Sequence, residues 1–468
     1  MASDRRALYE QMREHPQGAL GIDRPAIFSP AAAAQDEGND RTTIKRFGPL
    51  YLPSEYTNWA DEASAHVKTA YLGDWSSLAK IVVRGPDAHA FLSQLGMNDL
   101  SRFDIGQIKH HVQLDEHGWV ASEGILLRLA DDEFLFTAGS GDWLLWQLNQ
   151  GTWDAAVRDI SPDRFIFGIQ GPTSIHVLET VLADSLREVR FNRSRSATLG
   201  GVHVQILRAG ISAELGYEVH GPADAADKIW RLIRDAGAPF GLRQLGIRAQ
   251  PVQHIEAGIA TNGLDYFPSS AITPGAAWQF RRGGVEGSFV PTNGFADYFR
   301  KPVELGWHVR GDFTHDFLGK DALLADRTAG DPPRVLAGLV WNSEDVAALL
   351  AAGLSDGPLP EPMELPRVAG PAFDTVLVRG RPVGVATGRT LSPTLRKTIS
   401  LATIARQHSV VGTEVTVVWG RPGTPQREVR AVVAPLPFRP DNRRVDVTTL
   451  PMTRPAGTRS VATRRNAG

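Results

Sequence analysis

The sequence predicts a mixed α+β protein of more than one domain that ends in a separate all-β domain. Three observations carry this. Up to about residue 350, short alternating apolar segments are interleaved with segments of helical period. A Pro-rich break, 357–371, follows, and the apolar runs beyond it are short, strand-like and separated by Gly or Pro. The chain has 468 residues, more than one ordinary core can serve, so two or three packed domains are expected.

Residues 1 to about 45 are polar and Ala-rich, and 31–40 has little periodicity, which predicts an arm that is loosely ordered or draped on the body. Asp87 to Leu95 carries apolar residues at helical spacing. His111 to Leu114 and Gly124 to Leu129 flank a turn at Asp115-Glu116-His117-Gly118, and Glu133 to Thr137 follows a second turn, giving an antiparallel meander. Thr173 to Leu186 reads as a helix through Ile175, Leu178, Val181 and Leu182. Gly201 to Leu207 alternates Val202, Val204 and Ile206 against His203 and Gln205, a half-buried strand. Ala223 to Ala236 is an amphipathic helix with Ile229, Trp230 and Ile233 on one face. The pattern is α+β rather than a doubly wound nucleotide fold. Glu344 to Leu350 is helical, and past the Pro-rich break Thr375 to Val378, Val383 to Thr387, Glu414 to Trp419 and Val429 to Val433 are strand-like. The stretch from Met452, with Arg454, Arg459, Arg464 and Arg465 among small residues, reads as a disordered tail.

Composition removes several function classes. A net charge of −2 offers no concentrated basic surface for nucleic acid. With no cysteine there is no disulfide framework, no Cys-ligated metal and no thiolate nucleophile. No window approaches the ~18 apolar residues of a membrane span, and the first thirty residues lack the design of a secretory signal, so a cytoplasmic protein is expected. The phosphate loop, the dinucleotide fingerprint, the H-E-x-x-H zinc motif and the nucleophile elbow are all absent. His110-His111 is the only histidine pair, and neighbours on a strand point to opposite faces, so no metal site is expected. Small molecules are the expected partners; the oligomeric state is not readable.

What remains is a set of Gly-punctuated segments with polar residues where strands meet loops. They are Glu55-Tyr56-Thr57-Asn58-Trp59, Ile169-Gln170-Gly171-Pro172, Gly216-Tyr217-Glu218-Val219, Ile255-Glu256-Ala257-Gly258, His315-Asp316-Phe317-Leu318-Gly319-Lys320-Asp321-Ala322-Leu323 and Ser400-Leu401-Ala402-Thr403-Ile404. Together and in this order they resemble the folate-dependent family of the glycine-cleavage T-protein (aminomethyltransferase). Within that family the chain looks closest to the tetrahydrofolate-dependent aryl O-demethylases of the vanillate and syringate type and to sesamin-type methylenedioxy demethylenases. The resemblance runs from about Gly48 to Phe438. It implies a three-domain cloverleaf around a central folate channel, its first two domains α+β and its third a β-barrel. Laid on this chain, that gives an arm (1–45), a discontinuous first domain (46–160 and 241–330), a ferredoxin-like second domain (161–240), a barrel (331–440) and a tail (441–468).

The resemblance also implies site residues. Glu218 takes the place of the carboxylate that holds the pterin ring, whose N3–H and 2-amino group form a two-donor edge suited to a carboxylate. The competing reading is a solvent-facing glutamate on an edge strand. Tyr217, Glu214, His110 and Gln170 are further expected folate contacts, with turn capping an equal alternative for Glu214 and a structural histidine for His110. Glu123 stands where relatives carry an acid near the reactive part of folate, where a carboxylate can manage protons. Gln250 replaces a tyrosine of the vanillate-type enzymes; an amide can orient an ether oxygen but is no acid. His254 replaces a basic residue of T-proteins and joins Glu123 and Gln250 as a catalytic candidate. At Ala138-Gly139-Ser140-Gly141 the chain lacks the arginine that pairs with a substrate carboxylate, so Ser140, with Trp59 and Trp75, is expected to line a pocket for a neutral aromatic ether. The expected reaction is one-carbon transfer to tetrahydrofolate from such an ether. Loss of the tyrosine and arginine favours a methylenedioxy donor over a methoxy donor, since an acetal carbon is the more electrophilic. An aminomethyltransferase is the further alternative.

Overall fold

A computed structural model describes residues 27–37, 39, 43–139, 141–272, 284–307, 313–330, 332–365 and 370–451. Three open sheets, of three, five and six strands, and one closed barrel organise the described residues. The five-stranded sheet contains the meander Ile108–Leu114, Val120–Arg128 and Glu133–Thr137, extended by Lys80–Arg84 and Ala156–Asp159. Helix Ala88–Leu95 places Phe91, Leu92 and Leu95 in the core on one face of this sheet.

The six-stranded sheet runs in the order Ser194–Leu199, Val202–Leu207, Gly216–Pro222, Arg164–Gln170, Tyr71–Asp74, Arg243–Leu245. One face carries Phe165, Phe167, Ile169, Tyr217 and Val219, covered by helices Ser174–Leu182 and Ala226–Gly237 through Ile175, Leu178, Ile229, Trp230 and Ile233. The first of these helices stops four residues short of the expected Leu186, because Ala183 turns into the left-handed region at φ 54°. A domain boundary at residue 161 would cut this sheet. Tyr71–Asp74 pairs antiparallel with Arg164–Gln170 and parallel with Arg243–Leu245, so backbone ladders tie those segments to the second domain. Helix Trp59–Lys68 joins them: Asn58 caps it, and Glu62 accepts from the Tyr56 and Thr57 amides while reaching Gly246 N at 2.8 Å.

The barrel closes six strands, adding Arg334–Trp341 and Lys397–Ala405 to the four expected from sequence. Leu339, Trp341, Val376, Val417 and Trp419 fill it. Past the barrel, 441–451 is a docked strap rather than a tail: Val447 enters the second domain's core, and Arg187 and Arg208 donate to the Val447 and Val445 carbonyls. The arm's described part is likewise draped. Helix Ala32–Asp36 packs on Ala226–Gly237, and the Ala34 amide donates to Asp227 at 2.9 Å. Residues 1–26 and 452–468 lie outside the described residues.

Candidate active site

Alternation along strand Gly216–Pro222 sends Glu218 and His220 to the face opposite the helices. In register beside Glu218 stand Leu207 on one side and Gly168, then Gly73, on the other. The two adjacent glycines leave space on this face that aromatic rings fill. A Cβ on Gly168 would lie 2.2 Å from the Trp75 indole nitrogen, and one on Gly73 would lie 3.1 Å from the Tyr71 ring, so Trp75 and Tyr71 occupy what side chains would fill. Gln170 is fully buried on the strand of Gly168; its Oε1 accepts from the Ile211 and Ser212 amides at 3.0 and 3.1 Å, and its Nε2 has no partner. Glu218 is held by His220, Nε2 to Oε2, at 2.9 Å. The Trp75 turn is pinned by Lys80, whose ammonium donates to the Ser76 and Leu78 carbonyls at 2.7 Å. Burial brings the Lys80 pKa down to about 8. The same alternation sends Tyr217 to the other face. Its ring lies in the helix-covered core, and burial pushes its hydroxyl well up, so it does not share the face of Glu218.

A second carboxylate stands on the five-stranded sheet. Glu123 accepts from two sides: His110 Nε2 is 2.9 Å from Oε2, and the Tyr266 hydroxyl donates to Oε1 at 3.3 Å. The His110 ring meets Trp307 edge-on at 4.8 Å, and Tyr266 meets the same indole at 5.9 Å. The side chains of His110 and Glu123 are 38% and 15% exposed, whereas Tyr266 is 0% exposed, so the phenol sits behind the dyad. Burial first, then the Glu123 charge, raises the Tyr266 hydroxyl far above its ordinary value and keeps it a donor. Tyr266 was not singled out from sequence. It lies 143 residues from Glu123, and no local spacing links the two.

The two sheets face each other. Ile108, Leu127 and Leu135 of one pack against Leu207 and Ala209 of the other. Ile108 and Leu127 share a sheet face with His110 and Glu123, and Leu207 is the register neighbour of Glu218. Both carboxylates therefore address one intersheet space.

Other expected residues are placed elsewhere. His254 shares a helix face with Pro251 and lines a seam with Trp341, Thr387 and Arg389 of the barrel, its Nε2 3.6 Å from Asp265. It belongs to that seam and not to the Glu123 group. Glu214 accepts from Asn442 Nδ2 at 3.1 and 3.0 Å and so anchors the C-terminal strap. Gln250 opens helix Gln250–Glu256, buried, with its Oε1 unpartnered among the described residues. Trp59 packs with Trp75 on the Tyr71 and Leu245 cluster, under the Arg248 guanidinium at 5.4 Å. Ser140 lies outside the described residues. Among those residues no three His, Asp or Glu are grouped to hold a metal ion, and no helix is long and apolar enough to cross a membrane.

This arrangement of sheets and barrel matches known proteins. The family model for the GCVT N-terminal domain matches residues 33–276, and that for the glycine cleavage T-protein C-terminal barrel domain matches 365–439. The chain belongs to the glycine-cleavage T-protein family. Like other T-proteins it is an α+β protein with a C-terminal closed barrel, and the family's chemistry is tetrahydrofolate-dependent one-carbon transfer. A sesamin methylene transferase from a Sinomonas species is 34% identical over 87% of this chain and 94% of its own length. A syringate O-demethylase from a Sphingobium species is 30% identical over 83% of this chain and 90% of its own length. The crystal structure of aminomethyltransferase T from Bartonella henselae superposes with a TM-score of 0.68 over 89% of this chain and 99% of that one, at 20% identity, and shows the shared fold.

Proposed function

We propose that this T-protein relative moves a one-carbon unit from an aryl ether to tetrahydrofolate, with the pterin edge on Glu218 and proton handling at Glu123. The observation that carries this reading is that the two carboxylates lie on the sheet faces that pack together through Ile108, Leu127 and Leu207. The Glu218 side fits the ring. A carboxylate held by His220 can accept from two donors of the pterin edge, and the unpartnered Gln170 Nε2 can donate to a ring acceptor. Bound there, tetrahydrofolate supplies the nitrogen that takes up the carbon.

The chain's own task at the other wall is to manage the leaving oxygen. Cleaving an aryl ether C–O bond requires a proton at that oxygen, and a positioned acid contributes about 10²–10⁴-fold. His110, hydrogen bonded to Glu123, can deliver it. Because this group is present, the amide at Gln250 no longer counts against a methoxy donor, and we take an aryl methyl ether as the leading substrate class. There one C–O bond breaks, one C–N bond forms and one proton passes to the phenol, with no oxidant or reductant needed. The methylenedioxy reading stands second, supported by the likeness to a sesamin methylene transferase. It breaks two C–O bonds, forms two C–N bonds and moves two protons to a catechol.

The test is anaerobic incubation with tetrahydrofolate and a panel of neutral methoxy and methylenedioxy aromatics, following folate and phenolic products by mass spectrometry. Methyltetrahydrofolate with a phenol supports the leading reading, and methylenetetrahydrofolate with a catechol the second. Turnover of a lipoyl-linked aminomethyl group alone would replace both.

A further inference from the structure

We propose that Tyr266 is a positioning residue that sets Glu123 for proton handling; this rests on the reading of Glu123 just given. The carboxylate is gripped at both oxygens by separate elements, His110 on the neighbouring strand and Tyr266 from a loop 143 residues away. One grip would leave the carboxylate free to turn about its side-chain bonds, whereas two fix its plane and the oxygen it shows to His110. Tyr266 is itself immobilised. The loop Thr261–Tyr266 closes through the Thr261 amide to Asp265 Oδ2 and the Gly263 amide to the Tyr266 carbonyl, both at 2.8 Å. Asp265 Oδ1 then accepts from Thr387 of the barrel at 2.7 Å, so the third domain braces the loop that presents the phenol. Trp307 touches both His110 and Tyr266 and closes the group on one side. Since Tyr266 is fully buried behind Glu123, its effect must pass through the carboxylate and not through contact with substrate.

The experiment compares Tyr266→Phe, Glu123→Gln and the double variant in the full chain. In Tyr266→Phe, kcat on the ether the wild type accepts is expected to fall about tenfold, with KM and tetrahydrofolate affinity by calorimetry within about twofold. In the Glu123→Gln background the same change should cost less than about twofold, because the group it acts through is already altered. A second readout needs no turnover: in folate-free protein, Tyr266→Phe should lower the denaturant midpoint more in the wild type than in Glu123→Gln. Equal losses in both backgrounds, or a folate affinity that falls in step with kcat, would overturn the proposal in favour of packing alone. Should Tyr266→Phe not fold, Asp265→Asn loosens the loop without touching the phenol; reduced kcat with folate affinity kept supports the proposal, and full activity overturns it. A wild type that converts no ether overturns the proposed function and this inference together, while an active wild type with an equally active Tyr266→Phe overturns this inference only.

Discussion

His220 Nε2 stands 2.9 Å from Glu218 Oε2, two residues along one strand, so the sheet's own alternation supplies both the carboxylate and the group that orients it. Gly168 stands beside this pair as the register neighbour of Glu218.

Replacing Glu218 by glutamine turns one acceptor into a donor opposite a donor edge. Tetrahydrofolate affinity is expected to weaken by about 1.5–3 kcal/mol, the scale of a charge-assisted hydrogen bond. Titration calorimetry checks this, and an unchanged affinity would remove Glu218 from the site.

Gly168→Ala tests the close packing beside Glu218. The new Cβ would fall 2.2 Å from the Trp75 indole nitrogen, so the indole must move. Overpacking of this kind costs about 1–3 kcal/mol. The denaturation midpoint should drop accordingly, and folate affinity should fall with it because Gly168 is the register neighbour of Glu218.

Glu123→Gln keeps shape and removes the charge that supports His110. A kcat reduced by about 10²–10⁴-fold with folate affinity retained is the expected outcome. Rapid quench of a single turnover, read as phenol formed, separates this from slow product release.

Glu256 ties three parts of the molecule together. Its buried carboxylate meets His66 at 3.1 Å, Thr394 of the barrel at 2.9 Å and Arg439 of the segment that leaves the barrel at 2.8 Å, with Ser392 also donating. Burial pushes this carboxyl up, but the donors and charges of His66, Ser392 and Arg439 outweigh it and hold it below its ordinary 4.5. A depressed carboxyl contributes its stability in full above the unfolded value and loses it as pH falls through the folded one. Chemical denaturation at decreasing pH should therefore show a loss beginning near 4.5 that Glu256→Gln lacks. Glu256→Ala, which strands buried donors, should cost about 3–5 kcal/mol.

Much of this was legible in the chain. Alternation across Gly216-Tyr217-Glu218-Val219 already separates Glu218 from Tyr217, and the structure puts the Tyr217 ring in the helix-covered core. The period-two and helical patterns located the meander, the paired helices and four barrel strands, but Arg334–Trp341 and Lys397–Ala405 were missed as barrel members. Lys397–Ala405 is buried at seven of nine positions and Arg334–Trp341 is exposed at none, so both lack the polar alternation that marks a half-exposed strand.

Local covalent geometry decided which residues share a face, because side-chain direction repeats every two residues in a strand and every 3.6 in a helix. Sequence alone therefore determined that Glu218 and His220 lie together, that Glu123 and Ser122 part, and that the chain ends in a β domain. Only the tertiary structure decided that Tyr266 reaches Glu123, that Asn442 claims Glu214, and that His254 turns to the barrel seam. Those pairings join segments far apart in the chain, and their register is set by the packing of whole sheets against each other, a sum over many contacts that no short spacing encodes.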